Sequence, residues 1–476
     1  MPAVRAPRAE RMSPKFGTSG LRGLVVDLTP ELIGAYVAAF LRSCPVGSGL
    51  FVGRDLRDSS SRIANDVIAA ARAAGVDVTD CGPVPTPALA LASMQAGASA
   101  VMVTGSHIPA DRNGLKFYVP KGEITKAHEA AILAALDSIP KTGIGVAEGA
   151  LAIASPGPAF VARYVTAFGP QALANKRIGV WSHSAVGRDL LIETLAALGA
   201  ETVEVGRSEH FIPVDTEAVP DHVRDFLRET AQQKALDAIV STDGDGDRPL
   251  VTDEMGSVVP GDVLGQITTR LMGAEVAVTP VSSNTGIEAS NLRVIRTRIG
   301  SPFVIAGMEQ AQSLDPDASV VGYEANGGFL LGFKAWGPAG PLPALMTRDS
   351  HLPIIAPLVA AGAGPLSTRV AAEPARFTAA DRLQEVSTES SAALVATLRD
   401  DAAAQAAFLK DFGEEMLAST DITDGLRLTL RSGRIIHLRP SGNAPELRFY
   451  AEAESQEAAD ALLARGLRVL EDRLGV

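Results

Sequence analysis

Residues 50–82 read LFVGRDLRDSSSRIANDVIAAARAAGVDVTDCG, and the order of elements in this stretch sets the architecture. A short apolar strand ends near Val52, serines at 59, 60 and 61 offer helix caps, and Ile63, Val67, Ile68 and Ala71 recur at helical spacing before Gly75 supplies a stop. The same strand–loop–helix–strand order returns at residues 177–206, RIGVWSHSAVGRDLLIETLAALGAETVEVG. There a strand falls over 178–181, a helix around 190–198, and Gly199 takes the place of Gly75. A weaker third copy, VAVTPVSSNTGIEASNLRVIRTRIG, occupies residues 276–300. Strands that alternate with helices form βαβ units around largely parallel sheets, so three similar α/β domains are expected.

The last hundred residues follow another pattern. GLRLTLRSG, RIIHLRPSG and ELRFYAEAE read as successive strands with alternating exposure. Ala459, Leu462, Leu463, Leu467, Leu470 and Leu474 then mark one face of a closing helix. This is a smaller α+β domain. The expected division is a disordered tail over 1–15, α/β domains over 16–150, 151–255 and 256–370, and the α+β domain over 371–476. An alanine-, proline- and threonine-rich linker is expected near 364–380. At about 150 residues per domain, 476 residues accommodate this arrangement.

Bulk properties narrow the function. A net charge of −12 disfavours general nucleic-acid or anionic-membrane binding, which needs broad basic surface, but leaves room for a small anion held by a few converging arginines. Cys44 and Cys81 imply neither a disulfide framework nor a zinc site, and a reducing cytoplasm is the expected compartment. The first fifteen residues carry no apolar run of a signal peptide, and no stretch approaches the roughly 18 apolar residues of a membrane span. A soluble monomer or weak homodimer is expected.

Four stretches break the periodic pattern. In VMVTGSHIPADRNGLKFY, residues 101–118, an apolar strand delivers Ser106 and His107 into a loop. Adjacent residues do not form a Ser-His-Asp triad, and no GxSxG elbow occurs, so a serine active in another way stands against an ordinary polar turn. In residues 235–256, ALDAIVSTDGDGDRPLVTDEMG, a strand runs into Asp243, Asp245 and Asp247, spaced by glycines. Three carboxylates on one tight loop repel each other unless a hard cation neutralises them, and a solvated acidic turn is the plain alternative. An EF-hand fails, because Arg248 stands at the required glycine and the flanks are strands. Residues 320–332, VVGYEANGGFLLG, place Glu324 and Asn326 in a polar loop that could reach neighbouring sugar hydroxyls, although by itself it reads more readily as an ordinary turn. In residues 437–449, HLRPSGNAPELRF, Arg439, Ser441, Gly442 and Asn443 suit an anion nest beside a guanidinium, with a common hairpin turn as the equal alternative.

Taken together, in this order, these stretches resemble the α-D-phosphohexomutase family, which includes bacterial phosphomannomutases and phosphoglucomutases. The resemblance runs from FGTSGLRG at Phe16 to the last helix. It implies four domains around a central cleft, each supplying one loop. It also implies conversion of a hexose 1-phosphate to the 6-phosphate through phosphorylated Ser106 and a 1,6-bisphosphate intermediate, which also serves as activator. One Mg²⁺ would be held by Asp243, Asp245 and Asp247 with a phosphoserine oxygen. Arg248 would bind the phosphoserine, His107 and Lys116 would handle protons, and Arg22 would line the catalytic centre. Glu324 and Asn326 would grip the 3- and 4-hydroxyls, while Arg439, Ser441, Gly442 and Asn443 hold the other phosphate. Arg298 and Gly300, in TRIGSP, match a further substrate loop.

Three positions depart from the common pattern: Ile108 replaces an asparagine, Gly105 an alanine, and Asn326 the usual serine. The TGSHIP and YEAN variants are most similar to phosphomannomutases, so mannose is the first expectation, with glucose and glucosamine phosphates as alternatives. A non-catalytic sugar-phosphate binding protein and a serine-dependent phosphatase are the rivals from other classes. The complete set of Ser106, three aspartates and Lys116 disfavours the first; a second phosphate anchor disfavours the other.

Overall fold

A computed structural model describes residues 14–17, 20–137, 147–413, 415–441 and 445–475. Of the tail expected over 1–15, residues 1–13 lie outside the described residues, while Lys15 already pairs with Arg22.

The opening stretch folds as expected. Strand Leu50–Arg54, helix Ser60–Ala73 and strand Val78–Pro83 form a unit whose two strands are parallel. Ile63, Val67, Ile68 and Ala71 face the core. Gly75 turns the chain at φ +80°, a conformation that a side chain disfavours. The serines do not cap the helix, however. The Ser60 hydroxyl donates to Asp55 Oδ1 (2.5 Å), and the Ser59 and Ser60 oxygens accept from Asn113. Tertiary partners have taken over the local caps.

The second unit, Arg177–His183, Arg188–Ala197 and Glu201–Arg207, repeats the first with parallel strands. The third differs. Its strands Val276–Pro280 and Arg293–Thr297 are parallel, but the segment between them is a 3-10 turn, Thr285–Ala289, not a helix. The Asn284 side chain accepts from Gly286 N and tightens the chain there. The crossover helix follows instead, Ser301–Leu314, and leads to strand Val320–Tyr323.

Among the described residues, three mixed sheets, a five-stranded antiparallel sheet and a small two-stranded antiparallel ribbon result, so the expected α/β architecture with a smaller α+β domain is borne out. The first three share one device. A strand lying parallel to its neighbour ends in a loop, and the next strand returns antiparallel to it. Ser99–Val103 returns through Arg112–Val119, Ala238–Thr242 through Pro249–Val251, and Val320–Tyr323 through Phe329–Leu331. The three loops carry Ser106, the aspartates and Glu324. Loops at the carboxyl ends of parallel strands are where α/β sheets place their sites.

Two features of the division differ from expectation. Strand Leu151–Ile153 extends the first sheet beyond residue 150 by pairing with Val78–Pro83. Its residues are all exposed, so no burial pattern marks it. The stretch expected as a linker holds helix Leu366–Ala371 and the start of strand Phe377–Gln384, which pairs with Glu446–Ala453. Alternation is weak in that strand, because most of it faces outward.

The apolar cores divide unevenly. One cluster runs from Ala100 and Tyr118 of the first sheet through Phe160, Leu195 and Leu264 to Tyr323 and Phe329 of the third. The C-terminal domain has its own core, built on Leu426, Leu438, Phe449 and Leu470. Among the described residues, no helix is long and apolar enough to cross a membrane.

Candidate active site

Ser106 is buried and sits at φ +53°, in the left-handed region. A non-glycine residue held there costs on the order of 1–3 kcal/mol and persists only when its surroundings over-determine it. They do. Ser106 N donates to Thr104 Oγ1 (2.7 Å), and the Thr104 hydroxyl donates to Asp55 Oδ2 (2.7 Å). The Arg57 guanidinium donates to the carbonyls of Ser106 (2.9 Å), Ile108 (2.6 Å), Pro109 (2.7 Å) and Arg112 (2.9 Å), and its Nε to Asp55 (3.2 Å). Burial pushes the Asp55 carboxyl upward, and Arg57 acts against it. Neither Asp55 nor Arg57 was expected in the site. They belong to the GRDLRD segment of the first repeat, where they read as ordinary loop charges.

The Ser106 hydroxyl donates to Asp243 Oδ2 (2.6 Å), joining the first loop to the second. Asp243, Asp245 and Asp247 are fully buried, with one carboxylate oxygen of each within 4.8 Å of the others. Lys116 Nζ donates to Asp245 and Asp247 at 2.5 Å each, Arg348 lies 2.8 Å from Asp247, and the Thr86 hydroxyl donates to Asp245 (2.7 Å). Burial, then Asp245 and Asp247, push Asp243 well above the usual carboxyl range. Burial works to raise Asp245 too, but Lys116 and Thr86 overcome it and hold that group low. Asp245 Oδ1 and Asp247 Oδ1 are buried without a hydrogen-bond partner. Buried orphan acceptors are costly, and a hard divalent cation is the group that satisfies oxygens of this kind. The aspartates therefore fit a divalent metal ion.

His107 Nδ1 lies 3.3 Å from Ser106 Oγ. Burial first, then Arg248, lower its pKa to about 4, so the imidazole is neutral at neutral pH. Arg22 Nη1 donates to the Thr104 carbonyl (2.9 Å); burial lowers its pKa to about 10, and it stays charged. Arg248 N donates to Asp243 Oδ1 (3.2 Å). Burial and Arg348 act to lower the Arg248 pKa, and Asp243, Asp247 and Glu324 outweigh them.

The third loop reaches this cluster through a residue the sequence left unmarked. Arg348, on strand Leu345–Asp349, touches Asp247 and also lies 3.5 Å from Glu324. Nothing in LMTRD sets that arginine apart from any other strand charge. The Asn326 amide oxygen accepts from Gly328 N (3.0 Å), so its own turn occupies that oxygen and the amide nitrogen is what it can offer. Thr216 Oγ1 donates to the Asn326 carbonyl (3.2 Å).

The remaining residues gather elsewhere. Arg439 Nε donates to Asp424 Oδ2 (2.9 Å), and Ser441 N donates to the Glu446 carbonyl (2.9 Å). Gly442 and Asn443 lie outside the described residues. Asp424 also accepts from Ile299 N (3.0 Å), and Arg298 Nε donates to the Thr423 carbonyl (3.2 Å). Gly300 opens helix Ser301–Leu314 at φ +127°. The Arg298–Gly300 segment and Arg439 thus meet across Asp424, where the third domain touches the fourth. Ser106, His107, Lys116, Arg22, Arg248, the aspartates and Glu324 form one connected cluster; Arg439, Ser441, Arg298 and Gly300 form a second.

Family models described as phosphoglucomutase/phosphomannomutase match at residues 13–142 (alpha/beta/alpha domain I), 160–256 (alpha/beta/alpha domain II) and 383–468 (C-terminal domain). A phosphomannomutase of Sinorhizobium fredii is 47% identical over 96% of this chain and 99% of its own. A phosphomannomutase of Salmonella muenchen is 42% identical over 97% and 96%. In fold, a phosphoglucomutase/phosphomannomutase family protein of Burkholderia thailandensis superposes with a TM-score of 0.74 at 20% identity, covering 96% and 97% of the two chains.

Proposed function

Since the chain belongs to the phosphoglucomutase/phosphomannomutase family and is an intramolecular phosphotransferase, we propose that it interconverts mannose 1-phosphate and mannose 6-phosphate, with glucose phosphates as further substrates. The carrier is a phosphate on Ser106, and a hexose 1,6-bisphosphate is both intermediate and activator. The observation that carries this reading is the Ser106 hydroxyl, 2.6 Å from Asp243 and beside two buried carboxylate oxygens that lack partners. Two relatives similar over nearly the whole chain, both phosphomannomutases, support mannose as the first substrate.

Phosphoserine 106 gives its phosphoryl group to O6 of a hexose 1-phosphate: the bond from phosphorus to Ser106 Oγ breaks as the bond to O6 forms. The O6 proton passes to His107, whose neutral ring can accept it. The intermediate turns, and the reverse transfer follows: the bond from phosphorus to O1 breaks as the bond to Ser106 Oγ forms, and O1 takes up the proton that His107 holds. Asp243, Asp245 and Asp247 would hold one Mg²⁺ with a phosphoserine oxygen, and that ion supplies charge neutralisation at the transferring group. Lys116, Arg22 and Arg248 add positive charge around the phosphoserine. Glu324 and Asn326 grip the 3- and 4-hydroxyls, which both orientations of the intermediate present alike. Arg439, Ser441, Gly442 and Asn443 hold the phosphate that is not reacting, and Arg298 and Gly300 border it. We place the enzyme in the cytoplasm as a monomer or weak homodimer, which sizing in solution tests.

Glucose and mannose differ at carbon 2, which this grip leaves weakly read. An unmade hydrogen bond costs about 1–3 kcal/mol, so the two 1-phosphates are expected to differ by no more than roughly a hundredfold in kcat/KM. Galactose 1-phosphate, inverted at carbon 4, is expected to be rejected. The test is an assay of purified protein on mannose, glucose, galactose and glucosamine 1-phosphates with Mg²⁺, with and without 1,6-bisphosphate. Turnover of glucosamine 1-phosphate in strong preference to both hexoses would overturn the mannose assignment.

A further inference from the structure

One residue outside every stretch considered so far touches the back of the serine loop. Phe211 lies in the segment between strand Glu201–Arg207 and helix Asp221–Lys234 of the second domain. Its ring centroid is 4.0 Å from the Arg57 guanidinium carbon, covering a cation whose in-plane donors hold the carbonyls of Ser106, Ile108, Pro109 and Arg112. Two glycines make room for this stack. A Cβ at Gly105 would fall 2.5 Å from Arg57 Cζ, and one at Gly244, in the metal loop, 3.0 Å from Phe211 Cε2 and 2.9 Å from the Ser106 carbonyl oxygen. The absence of alanine at position 105 thus has a local cause in this chain. The segment is also anchored. Ile212 N donates to Ser184 Oγ (2.7 Å), and Val186 N, two residues further along, donates to the Gly244 carbonyl (3.0 Å). Arg57, Phe211 and Gly244 therefore form one packed stack, held from the second domain, against the backbone of the strained serine.

We propose that Arg57 and Phe211 are positioning residues that set the distance and angle between Ser106 and the metal loop. The stack acts through the left-handed backbone at Ser106: the arginine fixes its carbonyl, and the aromatic ring fixes the arginine. The Arg57 donors are taken up by Asp55 and the loop carbonyls and Phe211 offers no polar atom, so the effect falls on phosphoryl transfer and is the same for every sugar. The proposal rests on Ser106 being the phosphate carrier.

The test uses full-length protein with Mg²⁺ and compares Phe211→Ala, Phe211→Tyr and Arg57→Lys. Phe211→Ala is expected to lower kcat about tenfold on mannose and glucose 1-phosphates alike, with KM changed less than about twofold. Rephosphorylation of Ser106 by 1,6-bisphosphate, followed by intact mass, should slow by the same factor, and amide exchange over residues 105–112 should quicken. Phe211→Tyr keeps the ring and should restore all three. Arg57→Lys loses the planar fork and is expected to cost more than Phe211→Ala. Wild-type kcat in Phe211→Ala with only a lower melting temperature, or a raised KM at unchanged kcat, would overturn the proposal. Wild-type protein that takes no phosphate on Ser106 overturns the proposed function instead, and is seen before any variant is made.

Discussion

The first three domains and the fourth are built on different terms. The first three each have an apolar cluster of their own but are joined by one that runs through all of them, and their loops interlock through buried charges: Ser106 on Asp243, Lys116 on Asp245 and Asp247, Arg348 between Asp247 and Glu324. The fourth has a separate core and meets the third through polar contacts, Asp424 with Ile299 N, Arg298 with Thr423, and Thr285 N with Glu452 (3.1 Å). Polar interfaces of this kind rearrange more readily than a shared core. The difference suits a reaction with two demands. Phosphoryl transfer needs a site that does not yield, whereas an intermediate that must turn needs a phosphate grip that can let go.

The division implies that substitutions in the fused region lower kcat and those in the fourth domain raise KM. Ser106→Ala should have the largest effect, a loss of at least about a thousandfold in kcat with the fold intact, since no other group replaces the carrier. Intact-mass analysis should show one phosphate on active protein and none on the variant; a fully active variant would end the mechanism. Chelation comes next. Removing divalent metal should abolish turnover, Mg²⁺ should restore it, and Zn²⁺ should restore it poorly. Asp245→Asn should raise the Mg²⁺ concentration needed for half-activation. Undiminished turnover after exhaustive dialysis against chelator would break the assignment.

Glu324→Gln tests the border between the regions. It should impair mannose and glucose 1-phosphates together, about ten- to a hundredfold in kcat/KM, because the lost charged hydrogen bond is common to both. A selective loss on one sugar would mean that this loop reads carbon 2. Asp424→Asn frees Arg439 from its carboxylate partner and loosens the seam with Ile299, so KM should shift by roughly fivefold with kcat little changed. A kcat effect as large as that of Glu324→Gln would erase the distinction between the two regions.

The smallest effect concerns acid. Burial lowers the His437 pKa to about 4 in the fourth domain, and the His351 pKa to about 3 in the shared core. Unfolded histidines bind a proton near pH 6.5, before the buried ones do, so stability is full above that pH and falls as pH drops from 6.5 towards 4. His437→Gln removes one such group and should make the fall in melting temperature shallower by about 2–5 °C over that range, as a pH series of thermal melts would reveal. An unchanged slope would mean that protonation of His437 does not contribute to acid unfolding.

How much was legible beforehand varied with how local the signal was. The repeats at residues 50–82 and 177–206 produced their units nearly to the residue, because Gly75 and Gly199 mark turns that need no distant partner. The third repeat misled: its strands were apparent, but Asn284 folded the connection into a 3-10 turn and the crossover helix came later. The serines at 59 and 60 looked like helix caps and instead serve Asn113 and Asp55, partners that only the fold brings near.

The chemistry itself was written in the chain. Three aspartates spaced by glycine point to a cation site, because a tight loop must bring its own side chains together, while Ser106 is expected as a phosphate carrier only through the family resemblance. What holds those loops against each other was not. Asp55, Arg57, Phe211 and Arg348 carry no motif, and each acts on a residue 49 or more positions away. A buried charge gains its meaning from the groups that desolvation leaves as its only partners, and which groups those are is settled when the sheets pack.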